Sequence, residues 1–262
     1  MATTQEQTQE TAGGKKLAGK VAVVSGSAQG IGQAFAHRLA DDGASVVLVE
    51  HETSCADTKE DIESAGGETL VVKGDVSKAD DVAALAEEIG KSFDRVDILV
   101  NNAGIYPMQP FLEMTFDEWR EMFATNIDSI FHMCKAFVPG MADSGWGRVV
   151  NLGSTSYIAG MANYTHYNAT KAAVVGFTRS LAIEFGPQGI TANTIAPSLV
   201  RTPTTDSGPQ ADGMFEGFLD QQAIKRTETP EDIAGTLSWL VSDDAAFVTG
   251  QTILVDGGWR FL

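Results

Sequence analysis

Seven short runs rich in β-branched and aliphatic residues recur along the chain, separated by stretches with helical spacing. They are Val21–Ser25, Ser45–Glu50, Thr69–Lys73, Val96–Asn101, Arg148–Leu152, Thr191–Ile195 and Gln251–Val255. Each is nearly continuous in apolar character, as expected of strands buried on both faces of a parallel sheet. The intervening segments carry helix signals. Ile31–Asp41 repeats apolar residues at helical spacing, with Gly43 as a stop. Thr115-Phe116-Asp117-Glu118 has the form of a capping box and should open a long helix running past Asn126. Thr229-Pro230 combines an N-cap with a proline at the first helical position, opening Glu231–Val241. The pattern predicts a single α/β domain, a doubly wound parallel sheet of seven strands flanked by helices. Ser198 to about Glu228 is rich in Gly, Pro, Thr and Asp and reads as a functional lid or a partly disordered segment.

A length of 262 residues suits one large α/β domain. No apolar run approaches the roughly 18 residues of a membrane span. Residues 1–16 are polar, lack the apolar segment of a signal peptide and are expected to form a disordered tail, leaving 17–262 as the domain. Cys55 and Cys134 form no motif, and His37, His51 and His132 show no ligand spacing, so neither a disulfide framework nor a metal site is expected. A reduced, cytoplasmic setting fits. The formal charge of −17 provides no basic stripe for phosphates, which argues against nucleic acid and anionic membranes as partners. The acidity reads as solubility through self-repulsion, or as adaptation to a high-salt cytoplasm.

Directly after the first strand run comes Ser25-Gly26-Ser27-Ala28-Gln29-Gly30-Ile31-Gly32, opening a helix. Glycine there permits a tight turn and close approach to a pyrophosphate, and a helix N-terminus supplies free N–H groups and a positive dipole end. Position between a first strand and a first helix makes this a nucleotide signal rather than a bare glycine turn. Glu50 ends the second run, eighteen residues beyond Gly32. A carboxylate there can accept from both adenosine ribose hydroxyls and would repel a 2′-phosphate; His51, Glu52 and Thr53 follow, with no Arg or Lys. NAD is therefore expected over NADP. Asp75 and Val76 after the third run are placed to hold the adenine. Asn102, Ala103 and Gly104 after the fourth could brace the neighbouring strand and the adenosine, although a structural turn explains them equally.

Tyr167 and Lys171 lie four residues apart, a separation of about 6 Å on one helix face, and Ser154 lies thirteen residues upstream. An ammonium beside a phenol favours the phenolate, which lowers a pKa of about 10 towards the range of a useful base. With a hydroxyl to hold an alcohol or carbonyl oxygen, this is the minimum for moving a proton at a carbinol centre. Tyr106 and Tyr157 are candidates to line the substrate pocket, with simple packing as the alternative. Met161, and Met214, Phe215 and Phe218 in the lid, are apolar enough to cover a hydrophobic substrate. His166 points away from Tyr167 along a helix and reads as packing.

Together the glycine motif, Asn101-Asn102-Ala103-Gly104, Ser154 and Tyr167-x-x-x-Lys171, in that order, resemble the classical short-chain dehydrogenase/reductase family from Leu17 to the C-terminus. The resemblance implies a Rossmann-type fold and a homotetramer. It implies Asn126 as a fourth catalytic residue, linking Lys171 to solvent through water. It also implies Pro197, Val200 and Thr202 as nicotinamide contacts, and a nicotinamide-ribose contact for Lys171. Ser25 stands where threonine is usual and Ser198 where glycine is common. Within the family, Asn101-Asn102-Ala103-Gly104-Ile105-Tyr106-Pro107, Ala136-Phe137-Val138-Pro139-Gly140-Met141, Tyr164-Thr165-His166-Tyr167 and Ile195-Ala196-Pro197-Ser198-Leu199-Val200-Arg201-Thr202 look most similar to bacterial 1-phenylethanol dehydrogenases. The implied activity is hydride transfer between NAD(H) and a hydrophobic, aryl-substituted secondary alcohol or ketone. The alternatives are a 3-oxoacyl thioester or polyol substrate, or a non-catalytic NAD-binding regulator. The apolar C-terminal end, Gly250–Leu262 with Trp259 and Phe261, could serve as subunit contact surface or as core.

Overall fold

A computed structural model describes residues 15–207 and 213–262. The seven runs become strands β1 (Val21–Ser25), β2 (Ser45–Glu50), β3 (Thr69–Lys73), β4 (Ile98–Asn101), β5 (Gly147–Leu152), β6 (Ile190–Pro197) and β7 (Thr252–Val255). All pair in parallel in the order β3-β2-β1-β4-β5-β6-β7. β4 begins two residues later than the apolar run predicts. The buried Asp97 carboxylate accepts the Val21 N–H (3.0 Å) and the Arg95 Nε–H (2.9 Å), acting as a strand cap.

Helices cover both faces. α1 (Gly30–Asp41), α2 (Ala56–Ser64) and α10 (Pro230–Leu240) pack on one side, where Phe35, Leu39, Ile62, Ile233 and Leu237 meet Val24, Val46 and Leu48. α3 (Ala79–Gly90), α5 (Ser129–Ser144) and α7 (Thr165–Phe185) pack on the other, with Leu85, Met133, Phe137 and Val174 against Val23, Val47 and Leu99. Successive strand residues point to opposite faces, so strands feeding two apolar layers must be apolar throughout.

Thr115 caps α4 (Phe116–Phe123) in a complete capping box with Glu118. The helix does run past Asn126, but through a π turn (Ala124–Asp128) before continuing as α5. The described residues of the 198–228 segment hold more helix than its composition suggests. It holds α8 (Pro203–Ser207) and α9 (Met214–Gln221), while α6 (Ser156–Ala159) is a single turn after Ser154. Of the expected tail, residues 1–14 lie outside the described residues. Lys15 and Lys16 do not behave as tail: Lys15 Nζ donates to the Ala40 carbonyl (3.5 Å), and Lys16 pairs with Asp42 (3.4 Å). Among the described residues no helix is long and apolar enough to cross a membrane.

Candidate active site

The C-terminal edge of the sheet opens into a cleft of about 730 Å³, beside the point where strand order reverses between β1 and β4. All the residues expected to hold a dinucleotide, from Gly26 to Thr202, line it. Gly26 and Gly30 adopt φ of +67° and +58°, which L side chains rarely adopt. A Cβ on Gly32 would sit 1.9 Å from the Gly26 carbonyl oxygen. Gln29 precedes α1 without capping it through its side chain, and the first turn carries no acidic residue. The N–H groups and dipole of α1 are thus left for an anion. The Ser25 hydroxyl accepts the N–H groups of Asn102 and Ala103 (3.1 Å each), and the Asn102 amide donates back to the Ser25 and Gly26 carbonyls (3.0 and 2.9 Å). The Asn-Asn-Ala-Gly turn therefore splints the glycine loop to β4, whatever it does for a ligand.

Glu50 lines the cleft at the end of β2, accepting the His51 N–H (3.0 Å) and, at longer range, the Ala28 N–H (3.4 Å). Asp75 spends one oxygen on the Ser77 N–H and hydroxyl (3.0 and 2.7 Å) and pairs with Lys78 (3.1 Å). Burial raises its pKa, but these hydrogen bonds together outweigh that and hold it below the ordinary value. Among the described residues, Lys171 is the one lysine or arginine lining the cleft.

At the far end stand Ser154, Tyr167 and Lys171. Lys171 is 5% exposed, donates to the Leu152 carbonyl (2.8 Å) and lies 5.6 Å from the Tyr167 ring centroid. Burial brings its pKa down to about 8. Tyr167 is shifted the opposite way from expectation, up to about 12. Burial is the main cause, a hydrogen bond with Ser154 opposes it, and Tyr106 and Tyr164 add to it. In the protein alone, removing the phenolate from water outweighs what the i+4 lysine supplies, because that ammonium is itself desolvated and turned to a backbone carbonyl.

Asn126 is buried in the π turn. Its Oδ1 accepts the Ile105 N–H and its Nδ2 donates to the Ile105 carbonyl, both at 2.8 Å, with Thr170 Oγ1 at 3.3 Å. It ties the loop after β4 to α7, and does not line the cleft. Its neighbours Thr125, Ala124 and Glu121 do.

Tyr106 lines the cleft edge-on to Tyr167 (6.4 Å between centroids). Its hydroxyl bonds Thr204 and Thr202, although burial dominates and raises its pKa. Met161 and Phe218 also line the cleft. Tyr157 does not: it sits half-buried on the one-turn α6. The Met214 side chain lies outside the described residues, and Phe215 is buried beneath the Arg201 guanidinium (4.5 Å) rather than in the cleft. His166 is buried, as packing requires.

Two aromatic pocket residues escaped sequence reasoning. Tyr164 lines the cleft edge-on to Tyr167 (5.7 Å); its i−3 spacing was a usable signal. Trp259, expected among subunit contacts or core, is 8% exposed and packs on Phe218 (4.6 Å), with its Nε1 donating to Gln221 (3.1 Å). Only a tertiary contact brings the C-terminal segment under the lid helix. Among the described residues no group of His, Cys, Asp and Glu could hold a metal. The glycine cradle that a Cβ would fill, the uncapped helix end and a cleft running from Glu50 to Trp259 fit a dinucleotide.

Comparison with known proteins agrees with this geometry. Residues 26–260 match a family model described as enoyl-(acyl carrier protein) reductase. The 3-oxoacyl-[acyl-carrier-protein] reductase FabG of Pseudomonas aeruginosa is 40% identical over 243 residues, covering 92% of this chain and 98% of the relative. Two solved structures are similar in fold. One is a presumed NAD(P)-dependent gluconate 5-dehydrogenase of Beutenbergia cavernae with NADP bound at low occupancy (TM-score 0.89, 37% identity, 94% of this chain and 99% of that one). The other is a presumed short-chain alcohol dehydrogenase of Sinorhizobium meliloti (TM-score 0.88, 32% identity, 93% and 97%).

Proposed function

The chain belongs to the short-chain dehydrogenase/reductase family, and on that premise we propose that this oxidoreductase interconverts a secondary alcohol and a ketone, with NAD(H) as the preferred cofactor. The observation that carries the proposal is the convergence of Ser154, Tyr167 and Lys171 at one end of a cleft whose other end is the α1 N-terminus. When bound, the nicotinamide gives or takes the hydride. Gly26 to Gly32 and the α1 N–H groups would hold the pyrophosphate, and Glu50 the adenosine ribose.

The protein's own part is the proton. The Ser154 hydroxyl holds the substrate oxygen, and Tyr167 gives that oxygen its proton in ketone reduction. With its pKa held near 12, Tyr167 is fully protonated at neutrality and ready in that direction. Alcohol oxidation asks it for the reverse, which requires positive charge beside the ring; the Lys171 ammonium is the protein's own source of it. Asn126 holds Ile105 and Thr170 in place behind this group. Acid–base assistance of this kind contributes about 10² to 10⁴ in rate.

For the substrate, the named activity of the Pseudomonas relative favours a 3-oxoacyl thioester over the aryl ketone expected from the sequence. An acidic chain offers little docking surface to an acidic carrier protein, so this reading commits to the 3-oxoacyl thioester group and not to its carrier. The second reading, an aryl ketone, draws support from the aromatic walls Tyr106, Tyr164, Phe218 and Trp259. A polyol acid would want a cation in the pocket, and among the described residues Lys171 is the one lysine or arginine there. For the cofactor, Glu50 supports NAD, since among the described residues its cross-strand neighbour Lys73 does not line the cleft and no other lysine or arginine lines it near Glu50, whereas the Beutenbergia structure was solved with NADP.

Absorbance at the reduced-nicotinamide band separates these readings, using acetoacetyl-CoA, acetophenone and a keto-gluconate, each with NADH and with NADPH. Turnover of acetoacetyl-CoA with NADH is expected. A kcat/KM higher with NADPH would overturn the cofactor proposal, and turnover of acetophenone alone would restore the aryl reading.

A further inference from the structure

One buried glutamate fastens both ends of the segment that runs from β6 to α10. Glu228 is 6% exposed. Its Oε2 accepts the Ser198 N–H (3.0 Å) and the Ser198 hydroxyl (2.6 Å), and its main-chain carbonyl accepts the Arg201 N–H (2.9 Å). Val200 and Glu228 form an isolated parallel bridge at this point. On the opposite side the same strap is bolted to the catalytic loop, because Thr155 donates its N–H (2.9 Å) and hydroxyl (3.0 Å) to the Pro197 carbonyl. Thr155 directly follows Ser154. Pro197, Ser198, Leu199, Val200 and Thr202 all line the cleft. Glu228 does not, so anything it does for a ligand passes through Ser198 and Arg201.

A carboxyl is a costly group for such a fastening. Its Oε1 is buried without a hydrogen-bond partner, and a buried charge left incompletely paired is penalised heavily. The groups facing it are Asp256 after β7, Asp232 on α10 and Arg226. Two are acidic, and Arg226 is committed to Asp232 through both terminal nitrogens (2.5 and 2.6 Å). Burial accordingly pushes the Glu228 pKa up to about 7, against the hydrogen bonds from Ser198. Main-chain carbonyls could satisfy the Ser198 N–H at lower cost, so the carboxyl does more than close a turn.

We propose that Glu228 is a positioning residue for the nicotinamide end of the cleft: by gripping Ser198 and Arg201 it sets the course of Ser198–Thr202 and thereby the affinity for the cofactor. The inference rests on the nicotinamide-dependent reading above. It also carries a pH sense. The clamped strap holds the neutral acid more readily than the charged one, whereas an opened strap exposes Glu228 to water and restores its ordinary acidity. The preference for the clamp is therefore full below about pH 4.5, falls away as pH rises to about 7 and is flat above it, and cofactor binding weakens across that window.

The test uses Glu228→Gln, whose amide oxygen can still accept from Ser198 but cannot ionise, beside Glu228→Ala and Ser198→Gly. NADH affinity is measured by nicotinamide fluorescence without substrate from pH 5 to 8. Amide exchange across residues 198–202 is followed without cofactor. Losing the fastening should raise the Kd of Glu228→Ala about tenfold, the equivalent of one or two hydrogen bonds to a charged or polar group. Its kcat at saturating cofactor should stay within about twofold, because the bond broken acts on binding. Glu228→Gln should come nearest the wild type at pH 5, lose the weakening that the wild type shows between pH 5 and 7 and keep its amide protection. Ser198→Gly should fall between the two. Wild-type affinity and protection in Glu228→Ala would overturn the proposal, as would a Glu228→Gln that behaves like Glu228→Ala. A wild type that binds neither NADH nor NADPH would instead sink the nicotinamide reading, and amide exchange would still decide whether the clamp exists.

Discussion

Tyr167 and Lys171 are shifted in opposite directions by the same cause, exclusion of water from both charged forms. A phenol near 12 and an ammonium near 8 describe a site at rest with its proton on the tyrosine, and the pair makes chemical sense only when charge arrives beside it. Tyr167→Phe should lower turnover by about 10² to 10⁴, the usual worth of positioned acid–base groups. NADH should still titrate its fluorescence in that variant, and preserved turnover would remove Tyr167 from the mechanism. The lysine also leaves a mark on stability. Its folded pKa of about 8 lies below the ordinary 10.5, so the fold disfavours charging it. That cost is present in full below pH 8 and vanishes as pH rises through 10.5, where both states are neutral. Lys171→Met removes the titration. Its melting temperature relative to wild type should therefore be most favourable below pH 8 and lose ground steadily towards pH 10, as calorimetry would record.

At the scale of elements, the long helix from Phe116 to Ser144 is held open at one point by a π turn, and Asn126 occupies it. The extra residue in that turn frees the Asn126 amide to pair with both main-chain groups of Ile105, much as a neighbouring strand would. The start of this helix was legible, since Thr115 and Glu118 satisfy each other's N–H groups as their spacing requires. Thr115→Ala should cost about 1 kcal/mol and lower the melting temperature by roughly 2–4 °C in a domain of this size. Activity well below the melting point should hardly change, since neither cap residue lines the cleft. The π turn itself was not legible. Ala-Thr-Asn-Ile-Asp has ordinary helical composition, and what selects the wider turn is the loop after β4 packed against it. The lid likewise contains more helix than its Gly, Pro and Thr content suggests. α8 and α9 are short and draw their stability from contacts, such as Phe218 on Trp259, that local propensity does not encode.

For the molecule as a whole, the surface leaves Phe111, Leu112, Ile183, Phe247, Phe261 and Leu262 more than 60% exposed. Apolar side chains of that size left in water support the homotetramer we propose from family membership. Light scattering should return a mass of four chains, and a stable monomer would defeat it. The charge of −17 is a property of the same surface. If it reflects a saline cytoplasm, activity should persist in molar salt, and a sharp loss there would reduce it to a device for solubility. The sequence by itself determined the seven-stranded parallel sheet, the glycine cradle and the order Ser154, Tyr167, Lys171. Apolar continuity, glycine at positive φ and i, i+4 spacing are local consequences of backbone geometry and need no distant partner. Tertiary structure alone decided the rest: that Trp259 comes to the pocket beneath Phe218, which way the tyrosine and lysine titrate, and that Glu228 grips Ser198 from the far end of the segment. Burial and the meeting of residues remote in sequence set these outcomes, and neither quantity exists until the chain has closed on itself.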